Sequence, residues 1–260
     1  MSDAAAPRDR ATSPAGVAYI AHENIRMEST TTDHKTRRTR HVVLASSSPR
    51  RRELMRALDI RFDVVDSNGE EGPPLPGETP EEFVVRLSSE KANQASDGTG
   101  PAIVLGADTA VVLDGEVMGK PATGAEAAVM LQRLRGRVHR VVSGATAIDR
   151  ESGRSVSACK STEVEMRNYS RSEMAAYVAS GEPMDKAGAY GIQDETFRPA
   201  HKVRGCYLNV VGLPLCEVVE LLEALGTPVS LKPDWRVPAQ CDDCPLRERP
   251  PKFKPEVSRP

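Results

Sequence analysis

Apolar runs of strand length alternate with segments that begin on helix-capping residues, and this alternation restricts the chain to an α/β fold. The first run, 41–45, leads into Ser48 and Pro49, a capping serine and a first-turn proline that predict a helix start. The same signals predict strands over 62–66, 102–107 and 207–211 and helices that begin at Thr79, Thr123, Ser170 and Pro214.

Hairpin signals accompany these alternating elements. Asp114-Gly115 is a tight-turn pair, and the runs 138–148 and 155–166 face each other across Ser152-Gly153. Hairpins join antiparallel strands, whereas strand–helix–strand units join parallel ones. We therefore expect a mixed, twisted sheet with flanking helices instead of a purely parallel sheet.

Both ends of the chain lack the periodic apolar pattern of the middle. Residues 1–40 are rich in Ala, Ser, Thr and Arg, which predicts a flexible extension. Residues 227–260 are rich in proline, which predicts a disordered or surface-draped tail. One folded domain is therefore expected over 41–226, a length ample for a buried core.

Charge and aromatic content exclude two classes of partner. The 35 Lys+Arg residues nearly balance the 37 Asp+Glu residues, and only 4% of residues are aromatic. Neither general polyanion binding nor base stacking on single strands is expected from such a chain. No apolar run is long enough for a bilayer, and the N-terminal segment has no apolar leader run. We expect a cytoplasmic protein that binds neither membranes nor, stably, nucleic acid.

Five cysteines, an odd number in a chain of 260 residues, are typical of reduced cytosolic thiols and not of a disulfide framework. Cys241 and Cys244 form a C-x-x-C pair, which is half of a structural zinc site. Cys206, Cys216 or His201 could complete it, but their spacing selects none of them. We favour a tail without a metal ion.

A serine-rich turn followed by arginines is the first candidate for chemistry. Ser46-Ser47-Ser48 follows a strand and precedes a helix, so backbone N–H groups and the helix dipole point at whatever lies there. Arginines at 50–52 occupy the first helical turn, where cations are slightly unfavourable unless an anion compensates. The pattern indicates a phosphate cradle. The plainer interpretation is a capped helix with solvated arginines.

Carboxylates and lysines supply further parts of a phosphate site. Asp108 follows an apolar run, where it could hold a divalent cation, polarise water or merely cap a turn. Lys120 and Lys186 lie near glycines that let the backbone approach a ligand closely. With Glu70 and Glu71 as further oxygen donors, these residues indicate metal-assisted hydrolysis of a phosphoanhydride.

An ordered series of short motifs runs through the folded part of the chain. It opens with Leu44-Ala45-Ser46-x-Ser48-Pro49-Arg50-Arg51-x-Glu53-Leu54. It continues, in order, with Ala107-Asp108-Thr109, Gly119-Lys120-Pro121, Leu134-x-Gly136-x-x-His139, Tyr177-Val178-x-Ser180-Gly181-Glu182-Pro183, Asp185-Lys186-Ala187-Gly188-Ala189-Tyr190-Gly191-Ile192-Gln193 and Asn209-Val210-Val211-Gly212-Leu213-Pro214-Leu215. The series spans roughly 42–225 and resembles the Maf family of nucleoside triphosphate pyrophosphatases.

The resemblance implies a two-lobed α/β fold with a nucleotide in the cleft, release of pyrophosphate, and a homodimer. It also implies a divalent cation (Mg²⁺, Mn²⁺ or Co²⁺). Asp108 matches the family's proposed general base and a metal ligand. Glu71, or Glu70 if the alignment shifts by one residue, matches a second acidic metal ligand. The positions that match the phosphate site are Ser46, Arg51, Lys91 and Lys120.

Three positions resemble the branch of the family that prefers dTTP and UTP. They are Arg50, Thr109 and Gln193, a donor set suited to the carbonyl groups of a pyrimidine. Two departures from the family pattern are expected near the cleft. The residues after Gln193 begin with Asp194 where the family usually has glycine and aromatic residues. Cys206 stands where the family usually has serine. Both departures are expected to alter rate or preference and not the reaction.

Two other functions compete with hydrolysis. A non-catalytic nucleotide-binding regulator linked to cell division would bind nucleotide in the same cleft without cleaving it. Binding of nucleic acid through the arginines near 37–52 ranks last, because the overall charge and the aromatic content oppose it.

Overall fold

The computed structural model describes residues 20–22, 40–66, 72–96, 100–241 and 244–247. The strands in these ranges are β1 (Ile20–His22), β2 (Val42–Ala45), β3 (Phe62–Val65), β4 (Ile103–Leu113), β5 (Glu116–Met118), β6 (Val138–Asp149), β7 (Ser155–Met166) and β8 (Ala200–Arg204). The α-helices are α1 (Pro49–Met55), α2 (Pro80–Gln94), α3 (Gly124–Leu134), α4 (Arg171–Ala179), α5 (Tyr207–Val211) and α6 (Leu215–Ala224).

The strands form one mixed sheet. Its order is β1-β7-β6-β4-β2-β3, with β5 paired to β4 and β8 paired to β7. Strand β2 runs parallel to both β3 and β4, whereas β4, β6, β7 and β8 pair antiparallel. The expected mixed sheet with flanking helices is therefore confirmed.

Local capping explains where the helices begin. The Ser48 side chain accepts from the Arg51 backbone at the start of α1, and Pro49 occupies its first turn. Thr79 and Ser170 form reciprocal capping boxes at the starts of α2 and α4. Each of these starts was predicted from the sequence.

Helix α2 lies unusually close to the sheet. A Cβ atom at Gly106 would lie 2.1 Å from the Ser88 carbonyl oxygen, and one at Gly144 would lie 2.4 Å from the Val84 carbonyl oxygen. Gly106 is on β4 and Gly144 is on β6, so both central strands have no side chain at the point where the helix crosses them. The close approach brings Lys91 of α2 against β4.

Two predicted elements are wrong. Asp108 was expected after a strand ending at 107, but β4 runs through to Leu113 because β6 pairs with it along almost its whole length. Residues 207–211 were expected as a strand and form helix α5. The Cys206 side chain caps that helix, and the buried Asn209 amide donates to the Val141 carbonyl and to Thr162 Oγ1.

The chain outside 41–226 contributes to the fold where the structure describes it. Strand β1 pairs antiparallel with β7, and the rest of the predicted extension, 1–19 and 23–39, lies outside the described residues. After Gly226 the chain runs along the surface, and Val229, Cys241, Cys244 and Leu246 are buried in the apolar cluster that contains α6. Within the described ranges, no helix combines the length and apolar character needed to cross a bilayer.

Candidate active site

A cleft of about 860 Å³ collects most of the residues singled out by the sequence. Its walls come from the turn after β2, from α2, β4 and β5, and from the segments 182–194 and 210–212. The predicted residues that line it are Ser46, Arg50, Arg51, Lys91, Asp108, Thr109, Lys120 and Gln193. The remaining one, Glu71, lies outside the described residues, as does its alternative Glu70.

A buried ion pair forms one wall. Lys91 Nζ donates to Asp108 Oδ1 at 2.6 Å. The two residues are only 8% and 5% exposed, although they line the cleft. The lysine fixes one carboxylate oxygen, so the orientation of the Asp108 side chain is set by α2.

Arg51 is held by a second network across the cleft. Its Nε donates to the Gly212 carbonyl at 2.9 Å and one terminal nitrogen donates to Thr109 Oγ1 at 3.2 Å. The Thr109 hydroxyl also lies 2.8 Å from Ser143 Oγ. Thr109 therefore positions Arg51 instead of standing free in the cleft.

The serine-rich turn is a fixed structure. The Ser46 N–H donates to the Val65 carbonyl at 3.0 Å, and Ser46 Oγ accepts from the Ser48 N–H at 3.2 Å. Arg52 donates to the Ser47 carbonyl at 2.6 Å and so fastens the turn from outside the cleft. The interpretation of a capped helix with solvated arginines is therefore wrong for Arg51, whereas Arg52 makes an exposed hydrogen bond outside the cleft.

A second basic group lies on the opposite wall. Arg50 donates to Asp185 Oδ2 at 3.2 Å, and Lys186 Nζ donates to Asp185 Oδ1 at 2.6 Å and to the Glu182 carbonyl. Burial raises the pKa of Asp185, but the hydrogen bonds from Lys186 and Arg50 outweigh it, and the net shift is downward. The pair Arg50–Asp185 joins the turn after β2 to the 182–185 segment.

Lys120 and Gln193 lie at the exposed rim of the cleft. Asp194, a departure from the family pattern, caps the turn that follows, because its Oδ1 accepts from the backbone N–H groups of Thr196 and Phe197 at 3.0 and 2.6 Å. This aspartate has a structural role beside Gln193.

Two groups of the site were given no role by the sequence, although Gly212 belongs to the last motif of the series. The Gly212 carbonyl accepts from Arg51, and Ser143 contacts Thr109 from β6. A polar residue on the inward face of an apolar strand was the only available sign of Ser143. Among the cleft residues that the structure describes, no three His, Cys, Asp or Glu side chains are grouped to hold a metal ion.

The Maf-like protein family matches residues 41–225, and this chain belongs to that family. A dTTP/UTP pyrophosphatase of Geotalea uraniireducens (strain Rf4) is 45% identical over 186 residues, which cover 72% of this chain and 95% of that protein. One of Geobacter metallireducens is 48% identical over 187 residues, or 71% of this chain and 96% of that protein. One of Dehalococcoides mccartyi (strain CBDB1) is 39% identical over 228 residues, or 87% of this chain and 98% of that protein.

The solved structure of a dITP/XTP pyrophosphatase from Mycobacterium abscessus aligns over 71% of this chain and 93% of that chain. The TM-score is 0.36 and the identity is 17%, so the alignment adds nothing to the family match.

Proposed function

We propose that this protein is a nucleoside triphosphate pyrophosphatase that converts dTTP and UTP to the nucleoside monophosphate and pyrophosphate. The observation that carries the proposal is the Lys91–Asp108 ion pair, which points a fixed carboxylate into a cleft rich in basic side chains. The names of the relatives support the substrate class.

The charges of the cleft suit a triphosphate. Arg50, Arg51, Lys120 and Lys186 line it with Lys91, and guanidinium groups bind phosphate through paired hydrogen bonds. Arg51 is pre-positioned by Gly212 and Thr109, so little side-chain entropy is lost when it contacts a phosphate.

Hydrolysis needs a water molecule positioned against the phosphoanhydride. In the proposed step the water oxygen bonds to phosphorus, the anhydride bond between the α and β phosphates breaks, and pyrophosphate leaves. Asp108 accepts the proton from that water. Lys91 holds one of the carboxylate oxygens in place and so orients the Asp108 side chain. Lys91 and Arg51 stabilise the negative charge that develops on the phosphate oxygens.

A divalent cation fits this donor set. Mg²⁺ and Mn²⁺ prefer carboxylate oxygens, and Mg²⁺ is usually held by one or two carboxylates plus substrate phosphates, so a cleft without a closed protein cage suits it. Asp108 would hold the cation, together with Glu71 as the family resemblance implies. When bound, the cation neutralises phosphate charge and polarises the reacting phosphate.

We assign the preference for a particular nucleobase to residues at the rim of the cleft. Of the three branch residues, Arg50 is engaged by Asp185 and Thr109 by Arg51, whereas Gln193 is exposed beside the cleft. The Gln193 amide both donates and accepts hydrogen bonds, as a pyrimidine edge requires. Gln193→Ala should therefore narrow the difference in kcat/KM between dTTP or UTP and other triphosphates.

The test is pyrophosphate release from a panel of canonical and modified nucleoside triphosphates with Mg²⁺, Mn²⁺ or Co²⁺. Wild type should cleave dTTP and UTP, and Asp108→Asn should lose about 10²–10⁴-fold in kcat while still binding nucleotide. Asp63→Asn, at an exposed position of β3 outside the cleft, is the matched control and should retain wild-type turnover. Binding without cleavage by wild type would favour the nucleotide-binding regulator instead.

We also propose that the protein is cytoplasmic, as its cysteine usage indicates, and a homodimer, as the family resemblance implies. Its proposed parts are an extension over 1–40, a catalytic domain over 41–226 and a tail over 227–260. Light scattering of the full chain tests the dimer. Limited proteolysis tests the boundary at 226. Since Val229, Cys241 and Leu246 are buried against α6, removal of the tail should lower the Tm, and its removal without loss of Tm or of pyrophosphate release would show an independent tail.

A further inference from the structure

Four of the five cysteines meet on the side of the sheet that carries α6. Cys206 caps α5, Cys216 lies in the first turn of α6, and Cys241 and Cys244 come from the segment that follows. Cys216 Sγ is 3.7 Å from Cys244 Sγ, and the Cys241 thiol interacts with the thiols of Cys206 and Cys244. Each of the four thiols therefore has at least one of the others as a neighbour.

The distance between the Cys216 and Cys244 sulfur atoms distinguishes a disulfide bond from a zinc–thiolate site. A disulfide bond places sulfur atoms about 2.05 Å apart. Four thiolates around a zinc ion at about 2.3 Å form a tetrahedron with edges of about 3.8 Å. The 3.7 Å between Cys216 and Cys244 matches the tetrahedral edge, and all four thiols are free.

Backbone N–H groups support three of the four sulfur atoms. Backbone N–H groups point at three of the sulfur atoms, from Asn209 to Cys206, from Leu208 to Cys241 and from Leu246 to Cys244. Such N–H···S contacts are the outer-shell support that metal-bound cysteines receive.

Two cations face the same cluster. Lys160 acts electrostatically on Cys206 and Cys216, and Arg247 acts on Cys244 while its Nε donates to the Cys241 carbonyl at 3.1 Å. A buried set of four thiolates around a divalent ion has a net negative charge, which Arg247 offsets in part, whereas Lys160 is also paired with the buried Glu217 carboxylate at 2.8 Å.

We propose that Cys206, Cys216, Cys241 and Cys244 bind a structural zinc ion that fastens the segment after α6 to α5 and α6. Four sulfur ligands fill a tetrahedral shell and leave no position for substrate. None of the four lines the cleft, so this zinc ion is separate from the cation that hydrolysis requires.

Cys216 and Cys244 are joined by an S–H···S hydrogen bond, but the four thiols do not surround one centre in this structure, and among the described residues no three His, Cys, Asp or Glu side chains are grouped to hold a metal ion. Zinc would displace the thiol protons to solvent and draw the four sulfur atoms around one centre. His201, a candidate from the sequence, is exposed on β8 and has no part in the cluster.

The experiment measures zinc content and free thiols of the full-length protein produced with added zinc. Wild type should contain about one zinc ion per chain after desalting, as a four-sulfur structural site requires. Cys241→Ser and Cys244→Ser should lose that zinc and melt at a lower temperature. Cys159→Ser, which changes the fifth cysteine in β7, should keep both the zinc and the wild-type Tm.

A second measurement on wild type covers the case in which the serine variants do not fold. Titration with a thiol-binding mercurial should release zinc to a colorimetric chelator, and cobalt-grown protein should show thiolate-to-cobalt charge transfer. The proposal is overturned if wild type carries no metal and all five thiols react with a thiol reagent after unfolding. It is equally overturned if two thiols are missing because a disulfide has formed, or if another metal occupies the site.

Discussion

Lys91 Nζ lies 2.6 Å from Asp108 Oδ1 and joins the last turns of α2 to the middle of β4 in a largely buried position. The contact depends on the two glycines, Gly106 and Gly144, that allow α2 to lie against the sheet. The residue proposed as the base is therefore placed by helix–sheet packing at two glycines that do not themselves line the cleft. Stability and turnover should respond together when this packing is changed.

Replacing Lys91 should destabilise the folded protein, because the Asp108 carboxylate then stays buried without a cation. Lys91→Met should lower the free energy of unfolding by about 3–5 kcal/mol, because Asp108 remains buried without its partner. The kcat for pyrophosphate release should fall by about 10²–10³-fold, since one preorganised cation is lost from the site. Urea unfolding and steady-state kinetics measure the two effects.

The double variant Lys91→Met/Asp108→Asn separates charge from packing. With no carboxylate left unpaired, it should be more stable than Lys91→Met alone. Additive losses in the two single variants would show that the pair is not coupled and would remove this explanation.

Gly144→Ala should push α2 away from the sheet. The new methyl group would meet the Val84 carbonyl at 2.4 Å, and since that neighbour is backbone, it cannot rotate away. We expect a loss of about 1–3 kcal/mol in the free energy of unfolding, together with a lower kcat, because Asp108 is the residue paired with Gly144 in the sheet register.

Gly72→Ala is the matched control for stability, since a methyl group there has no atom within 4 Å. Equal free energies of unfolding for the two alanine variants, from urea titration, would contradict the close contact between α2 and β6.

Thr109→Val should raise the KM for dTTP more than it lowers kcat. Valine keeps the shape of threonine but removes the hydroxyl that accepts from Arg51 and contacts Ser143. Loss of one net hydrogen bond of about 1 kcal/mol should raise KM for dTTP by roughly fivefold and change kcat less. Thr109→Ser keeps the hydroxyl and should stay near wild type; a similar rise in KM for both variants would show that the methyl group matters instead.

The start points of the helices could be predicted because capping is local. Ser48 and Thr79 act on backbone groups within three residues, so the sequence alone contains the cause. Residues 207–211 were mistaken for a strand because the cause of α5 is tertiary. The amide of Asn209 bonds to β6 and β7, and no pattern in the neighbouring sequence reveals this.

Residue patterns alone singled out the serine-rich turn, the arginines after it, Asp108 and Lys120, whereas Lys91, Thr109 and Gln193 were predicted only through the family resemblance. The contacts among these residues could not be predicted. Arg51 and Gly212 are 161 positions apart, and their hydrogen bond exists because α5 returns to the start of α1. The meeting of four cysteines could not be predicted either, since sequence spacing alone did not select Cys206, Cys216 or His201 as partners of the C-x-x-C pair. Contacts across such distances follow from the fold and not from local pattern.

His139 on β6 is a buried titratable group outside the cleft. It is only 3% exposed, and its Nε2 lies 2.7 Å from the Tyr190 hydroxyl. Its Nδ1 has no hydrogen-bond partner among the described residues, so a second ring proton would be buried without an acceptor. Burial lowers the pKa of His139 from 6.5 to about 4.

This lowered pKa makes stability depend on pH in one direction. Above pH 6.5 the imidazole is neutral in the folded and in the unfolded state, and its contribution to the free energy of unfolding is fully present. As the pH falls from 6.5 towards 4, His139 binds a proton in the unfolded chain but stays neutral in the folded protein, so stability is lost. The loss should reach about 3 kcal/mol at about 1.4 kcal/mol per pKa unit. Urea unfolding between pH 7.5 and about 4 should show this loss in wild type and in Tyr190→Phe, which keeps the imidazole, but not in His139→Phe. An unchanged slope in His139→Phe would assign the acid sensitivity to other groups.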